Sequence, residues 1–141
     1  MKTLTTLTAA VLMVLSFSAF ASEDLKSEKL KMNYAVQTYI DAISNGETSG
    51  IEDIIDSKAS FTLAKGNSIV NYSKSEIIAS MKSNKGVQQN CSTDFNVIEQ
   101  TIDQAIVKVS MKYDTFSRVN FVTIANTSNG WRITNVSSSF Q

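Results

Sequence analysis

Histidine and proline are absent from this 141-residue chain, and cysteine occurs once. Without histidine the chain lacks the side chain that most often acts as general base near neutral pH, which is also the commonest metal ligand. Ser-His-Asp and Cys-His nucleophilic arrangements cannot be assembled. One cysteine excludes an intrachain disulfide and every multi-cysteine zinc site. An excess of one charge is also missing, because 13 Lys and Arg balance 13 Asp and Glu. A nucleic-acid binder needs a basic stripe to neutralise phosphates, so that partner class is not expected. Neither a metal nor another cofactor is expected.

What is present begins with an address. Met1 and Lys2 form a short positive head, and Leu4 to Phe20 is mostly apolar and uncharged. Ala19-Phe20-Ala21 has the small-x-small spacing of a signal-peptidase site, and polar Ser22-Glu23-Asp24 follows. The apolar stretch is shorter than the roughly 20 residues of a membrane-spanning helix. The reading is a signal peptide over 1–21 and one exported domain over 22–141. That domain is periplasmic or extracellular, with no membrane attachment after cleavage. Cys91 then reads as a small buried hydrophobe.

Helical patterns come first along the exported part. Met32, Ala35, Val36, Tyr39, Ile40 and Ile43 recur at steps of three and four, which makes one apolar face of a helix. Asn45-Gly46 stops it, and charged Ser22 to Lys31 is its lead-in. Ser49-Gly50-Ile51-Glu52 and Ser73-Lys74-Ser75-Glu76 both have capping-box spacing. They predict a short helix through Ile55 and another carrying Ile77, Ile78 and Met81. Between them, Ala59 to Ala64 and Ser68 to Tyr72 read as a hairpin about Gly66-Asn67.

From Val87 onward the period changes to two. The spacing predicts strands over 91–99, 105–113, 118–126 and 131–140. Asn129-Gly130 reads as a tight turn in which both residues tolerate positive φ. Short separations imply an antiparallel meander, and helices followed by strands imply a single α+β domain.

Certain segments carry a family likeness. They are Tyr39-Ile40-Asp41-Ala42-Ile43, Ile51-Glu52-Asp53-Ile54-Ile55, the strand holding Phe61, and Gly130-Trp131-Arg132-Ile133 opening the last strand. In this order the chain resembles the nuclear transport factor 2-like superfamily. That superfamily includes polyketide-cyclase-like proteins, ketosteroid isomerase and exported bacterial domains of lumazine-binding type. The resemblance implies a cone: a strongly curved antiparallel sheet of about four long strands plus a short hairpin, wrapped on three helices of the N-terminal half. It further implies a pocket at the open end and an outer sheet face that can form a homodimer.

On a cone, alternation assigns faces. Val107, Val109, Met111 and Tyr113 share one face of their strand; Val119, Phe121 and Thr123 share one of the next; Trp131, Ile133 and Asn135 share one of the last. The expected lining of a ligand pocket is therefore Tyr39, Phe61, Met81, Met111, Tyr113, Phe121, Trp131 and Asn135, suited to a small apolar or aromatic molecule. Side chains at these periods equally build a plain core. Lys108, Lys112, Arg118 and Arg132 read as a basic patch across adjacent strands, or as guards against sheet-to-sheet association.

Two functions from different classes follow. The first is a non-catalytic domain that binds a small molecule or associates with another protein. The second is a cofactor-independent isomerase or dehydratase using a buried carboxylate and a Tyr. Asp41 and Asp94 are its candidate acids, and the resemblance implies an Asp base with a Tyr donor. The His-Asp pair of dehydratase-type relatives cannot be built here. Function sits in sites placed on folds, so the resemblance fixes the architecture more firmly than the activity.

Overall fold

The computed structural model describes residues 31–141. The expected signal peptide over 1–21 and most of the charged lead-in lie outside the described residues. Among the described residues, no helix is long and apolar enough to cross a membrane.

Helix α1 spans Met32–Ile40 and continues as a π-helical turn, Asp41–Asn45. Its apolar stripe buries Ala35, Val36, Tyr39 and Ile40, and the π turn adds Ala42 and Ser44. Gly46 ends the run at φ 68°, in the left-handed region that glycine enters without a Cβ clash.

Helix α2 is a single turn, Ile51–Ile54. The box expected at Ser49 does not form, because Gly50 occupies the N-cap with no side-chain cap bond. Ser49 therefore sits one position too early, and Glu52 falls at the second helical position rather than the third. The far end is satisfied instead by Lys74, whose Nζ donates to the carbonyls of Glu52 at 2.9 Å and Ile55 at 2.7 Å. Helix α3, Lys74–Ser83, does begin with the expected box. Ser73 N donates to Glu76 Oε2 at 2.7 Å, and Glu76 N donates to Ser73 Oγ at 3.4 Å.

The strands are β1 (Ile55–Lys65), β2 (Ser68–Ser73), β3 (Ser92–Gln100), β4 (Gln104–Lys112), β5 (Ser117–Thr127) and β6 (Gly130–Phe140). They form one sheet in the order β2-β1-β6-β5-β4-β3. Strands β3 to β6 make the antiparallel meander. The β1-β2 hairpin attaches to it through a parallel pairing of β1 with β6, which no local spacing announces. Register shifts interrupt β1 between Ile55 and Ser60, β3 between Val97 and Glu99, and β6 beside Thr134. Bulges of this kind bend a strand and increase its twist, which curves the sheet around the helices. At the β5-β6 turn only Gly130 takes a positive φ, 96°; no non-glycine residue does so among the described residues. Thr127 Oγ1 closes the turn, accepting from Asn129 N at 3.2 Å and donating to Gly130 O at 2.7 Å.

The core lies between the helices and one sheet face. Val107, Val109, Val122, Ile124, Ile133 and Val136 meet Val36, Tyr39, Ile51 and Ile54. Each fully buried aliphatic side chain contributes about 1.5–3 kcal/mol, so this helix-on-sheet contact carries the fold without a disulfide. Edge strand β3 is different: Phe95 and Val97 pair with Val109 and Val107 but stay 37% and 41% exposed.

Candidate functional site

Where α3 meets the open end of the sheet, two adjoining cavities of about 210 and 70 Å³ are left unfilled. They share Ile43, Ile77, Met81 and Arg118 as a common wall. The larger runs toward Asn84, Val87, Gln89 and Tyr113, and the smaller toward Tyr39, Phe61, Tyr72 and Ser138. The space exists because α3 covers the sheet lightly: Ile78 is its only buried side chain, and Ile77 and Met81 are half-buried. A broader groove of about 670 Å³ lies on the other side of α3, beside the Glu52–Lys82 ion pair, and does not reach the sheet interior.

Arg118 dominates the shared wall. Strand β5 places it opposite Met111 on β4 and Phe140 on β6, on the helix-covered face. Its Nε is buried and has no hydrogen-bond partner. No carboxylate lines either cavity. A buried polar group without a partner costs about 1–3 kcal/mol, more when charged. Arg118 is half-buried as a residue, so Nε is the one nitrogen that the protein both encloses and leaves without a partner.

Two phenols flank this charge. Tyr39 is buried, and desolvation pushes its pKa up to about 12, while the positive charge of Arg118 pulls the other way. Burial also raises the Tyr113 pKa, aided by the neighbouring Cys91 thiol and again opposed by Arg118. Both phenols are thus neutral donors over the physiological range. Tyr113 Oη donates to Gln89 Oε1 at 3.1 Å, and Gln89 N donates to Ser44 O at 2.7 Å. Ser44 Oγ and Thr93 Oγ1 lie 2.9 Å apart, and Cys91 Sγ is 3.7 Å from Thr93 Oγ1. The thiol is therefore half-buried among hydroxyls rather than packed as a plain hydrophobe. Tyr113 stacks on Phe116 with centroids 4.5 Å apart, and Phe140 tilts against Phe116 at 5.9 Å, so Tyr113 is held by an aromatic cluster outside the cavity lining.

Deeper in the sheet, Ser138 Oγ donates to Asn120 Oδ1 at 2.5 Å; both residues are buried. This pair stands below Arg118 on the inner faces of β5 and β6.

The structure brings Tyr39, Phe61, Met81 and Tyr113 of the expected lining to the two cavities. Met111 is fully buried beneath them, its sulfur 4.0 Å from Asn120 Nδ2, and reaches neither. Trp131 packs half-buried on the core near the start of β6. Phe121 and Asn135 lie on the opposite, helix-free face. Phe121 belongs to the β5 set paired with Lys108, and Thr134 adds a residue that turns Asn135 outward, where its Nδ2 donates to Ser60 Oγ at 2.8 Å.

Neither candidate acid reaches the cleft. The Asp41 carboxylate accepts from Gln37 Nε2 at 3.1 Å and Asn45 Nδ2 at 3.2 Å at the surface of the π turn. Asp94 is exposed and paired with Ser110, on the helix-free side of β3. The carboxylate-and-Tyr arrangement of the isomerase reading is therefore not assembled from either acid. The basic patch is also divided: Lys108, Lys112 and Arg132 lie on the helix-free face, while Arg118 points inward. Among the described residues, no three His, Cys, Asp or Glu side chains are grouped to hold a metal. Arg118, Ile43, Ile77 and Gln89 are among the cleft residues that alternation from sequence missed.

Residues 27–140 match the family described as "Putative lumazine-binding", and the chain belongs to it. Among solved structures it is similar to a nuclear transport factor 2-like protein of unknown function from Silicibacter pomeroyi. The two are 21% identical over 78% of this chain and 91% of that one, with a TM-score of 0.62. A nuclear transport factor 2-like protein from Cytophaga hutchinsonii is 15% identical over 77% of this chain and 93% of its own, with a TM-score of 0.60. A third, of unknown function from Shewanella baltica, is 8% identical over 77% and 89%, with a TM-score of 0.61. At these identities the likeness establishes the fold alone. None of the curated proteins matches the chain.

Proposed function

We propose that this protein is an exported, non-catalytic domain that binds a small molecule in the cleft between α3 and the sheet. The observation that carries the reading is the pair of adjoining cavities, with apolar walls from Ile43, Ile77, Met81 and Phe61 and convergent polar groups from Arg118, Tyr113 and Gln89. A mostly apolar concavity with a few placed polar groups is the usual design of a ligand site. The volumes are at or below the roughly 300 Å³ at which drug-sized sites begin, so the occupant is small. Export rests on the uncharged stretch Leu4–Phe20 and the cleavage spacing at Ala19-Phe20-Ala21.

Native mass spectrometry of protein purified from its own source tests this reading. The expected result is the mass of the chain beginning at Ser22 with a small-molecule adduct. A fragment screen read on the methyl resonances of Ile43, Ile77 and Met81 should then map binders to the cleft. An adduct-free protein with no fragment touching those methyls refutes the binding reading.

Association through the sheet is a second reading, favoured by one observation. Phe121 is 42% exposed on the face that no described helix covers. Sedimentation at micromolar concentration should show a dimer that Phe121→Asp disperses; a monomeric wild-type protein ends this reading.

A further inference from the structure

We propose that the cleft is specific for small carboxylates, with the carboxylate bound by Arg118 and a ring-sized apolar body lying along Ile77, Met81 and Phe61. The inference rests on the small-molecule reading above and names the chemical class of its ligand. Its first support is the buried, unpartnered Nε of Arg118 at the junction of the two cavities. The two terminal nitrogens of a guanidinium form a parallel fork, which matches the two oxygens of a carboxylate. Here that fork is unused, and no Asp or Glu lines either cavity to occupy it.

Charge balance narrows the class further. Arg118 is the sole cation in the walls of the two cavities, so one negative charge neutralises it. A monoanion leaves no excess buried charge, whereas a phosphate dianion would leave one uncompensated. The Tyr39 phenol lines the smaller cavity as a donor for the acid, while the Tyr113 proton is held by Gln89 Oε1. Toward Phe61 the walls of the smaller cavity are mainly aliphatic and aromatic, and the polar groups of the larger one, Ser80, Asn84 and Gln89, are all uncharged, so a second charged end finds no counter-charge. The Asn120–Ser138 pair beneath Arg118 is self-satisfied, so it backs the site without competing for the ligand.

The test titrates benzoate, its neutral isostere benzamide, and inorganic phosphate into the wild-type protein and into Arg118→Gln, read on the Ile43, Ile77 and Met81 methyls. Benzoate is expected to bind at least tenfold tighter than benzamide. Arg118→Gln should reduce benzoate to the level of benzamide and leave benzamide unchanged. Equal binding of the two in wild type, or an unchanged benzoate affinity in Arg118→Gln, overturns the carboxylate assignment while leaving the cavity reading intact. Phosphate that binds at the same methyls and excludes benzoate also overturns it. If neither benzoate nor benzamide perturbs these methyls at millimolar concentration, the carboxylate assignment falls; the small-molecule reading falls with it only if the fragment screen also finds no binder there. A separate variant, Arg118→Met, guards against a folding artefact. With no ligand it should melt at or above the wild-type temperature, because it removes the unpartnered buried Nε and keeps an apolar stem in its place. A clear drop shows that the guanidinium serves the fold and overturns the proposal.

Discussion

Gly46→Ala tests how the floor of the cleft is held in place. Gly46 stands at φ 68°, so any side chain there meets the left-handed penalty of about 1–2 kcal/mol. A second cost comes from what the position touches. A Cβ at Gly46 would fall 2.6 Å from Val87 N, 2.8 Å from Gly86 N and 2.9 Å from Asn84 O. All three are backbone atoms, so no side chain can swing aside. They belong to the loop that supplies Asn84, Val87 and Gln89 to the larger cavity. That loop is tied to the π turn by Gly86 N donating to Gly46 O at 2.9 Å and Gln89 N donating to Ser44 O at 2.7 Å. Overpacking against such a neighbour costs about 1–3 kcal/mol, which brings Gly46→Ala to about 2–5 kcal/mol in all.

Gly66→Ala supplies the internal control. Its φ is 58°, but a Cβ there has nothing within 4 Å. It should cost the conformational part alone, about 1–2 kcal/mol. Urea unfolding followed by circular dichroism gives both values, and equal m-values confirm that the same transition is compared. Gly46→Ala should lose at least about 1 kcal/mol more than Gly66→Ala, and should shift the amide resonances of residues 84–89. If the two variants unfold at the same urea concentration, the close backbone approach at Gly46 has no energetic weight and the reasoning fails.

Three further outcomes are expected. Ser73→Ala removes the Oγ acceptor of the α3 capping box and should cost about 1 kcal/mol in urea unfolding; no change would mean that the exposed helix end is equally well hydrated. Ser138→Ala leaves Asn120 Oδ1 buried without its donor and should cost about 1–3 kcal/mol, measured the same way. Tyr39 gives a pH signature: the folded phenol keeps its proton to about 12, while an unfolded one releases it near 10.0. Its contribution is complete below pH 10 and is lost as pH rises to 12, by about 1.4 kcal/mol per unit, so the decline in stability between pH 10 and 12 should be shallower in Tyr39→Phe than in wild type.

Local signals carried much of the architecture. The three- and four-residue steps of α1 match its buried stripe of Ala35, Val36, Tyr39 and Ile40. The Ser73 box opens α3, and strict alternation from Ala105 to Met111 matches the burial of β4. What could not be read depends on distant partners. The parallel pairing of β1 with β6 joins Ser60 to Asn135, and no property of either segment alone selects that neighbour. The Ser49 box failed because Gly50 could take the cap in a conformation closed to most residues. The bulge at Thr134 inverted the parity of β6 between Ile133 and Asn135, so a count begun at Trp131 placed Asn135 on the wrong face.

The cleft was half visible for a related reason, and β5 shows why. Apolarity favours Val119 and Phe121 as the inward set, yet the pairing puts Arg118, Asn120, Val122 and Ile124 inside. Hydrophobicity misassigns this strand because its first two inward positions are polar. Geometry does not, since a hairpin closed about Asp114-Thr115 pairs Met111 with Arg118, and paired residues share a face. Met111 is inward by the alternation of β4, so Arg118 must be too. An arginine and an asparagine at inward parity, on a strand whose next inward residues are Val122 and Ile124, break the local pattern at two consecutive inward positions. The fold compensates Asn120 with Ser138 and leaves the Nε of Arg118 without a partner. A polar residue whose burial is compensated within the protein is explained by structure. One that is not compensated points to something outside the chain, which is why the conflict at Arg118 bears on function and the one at Asn120 does not.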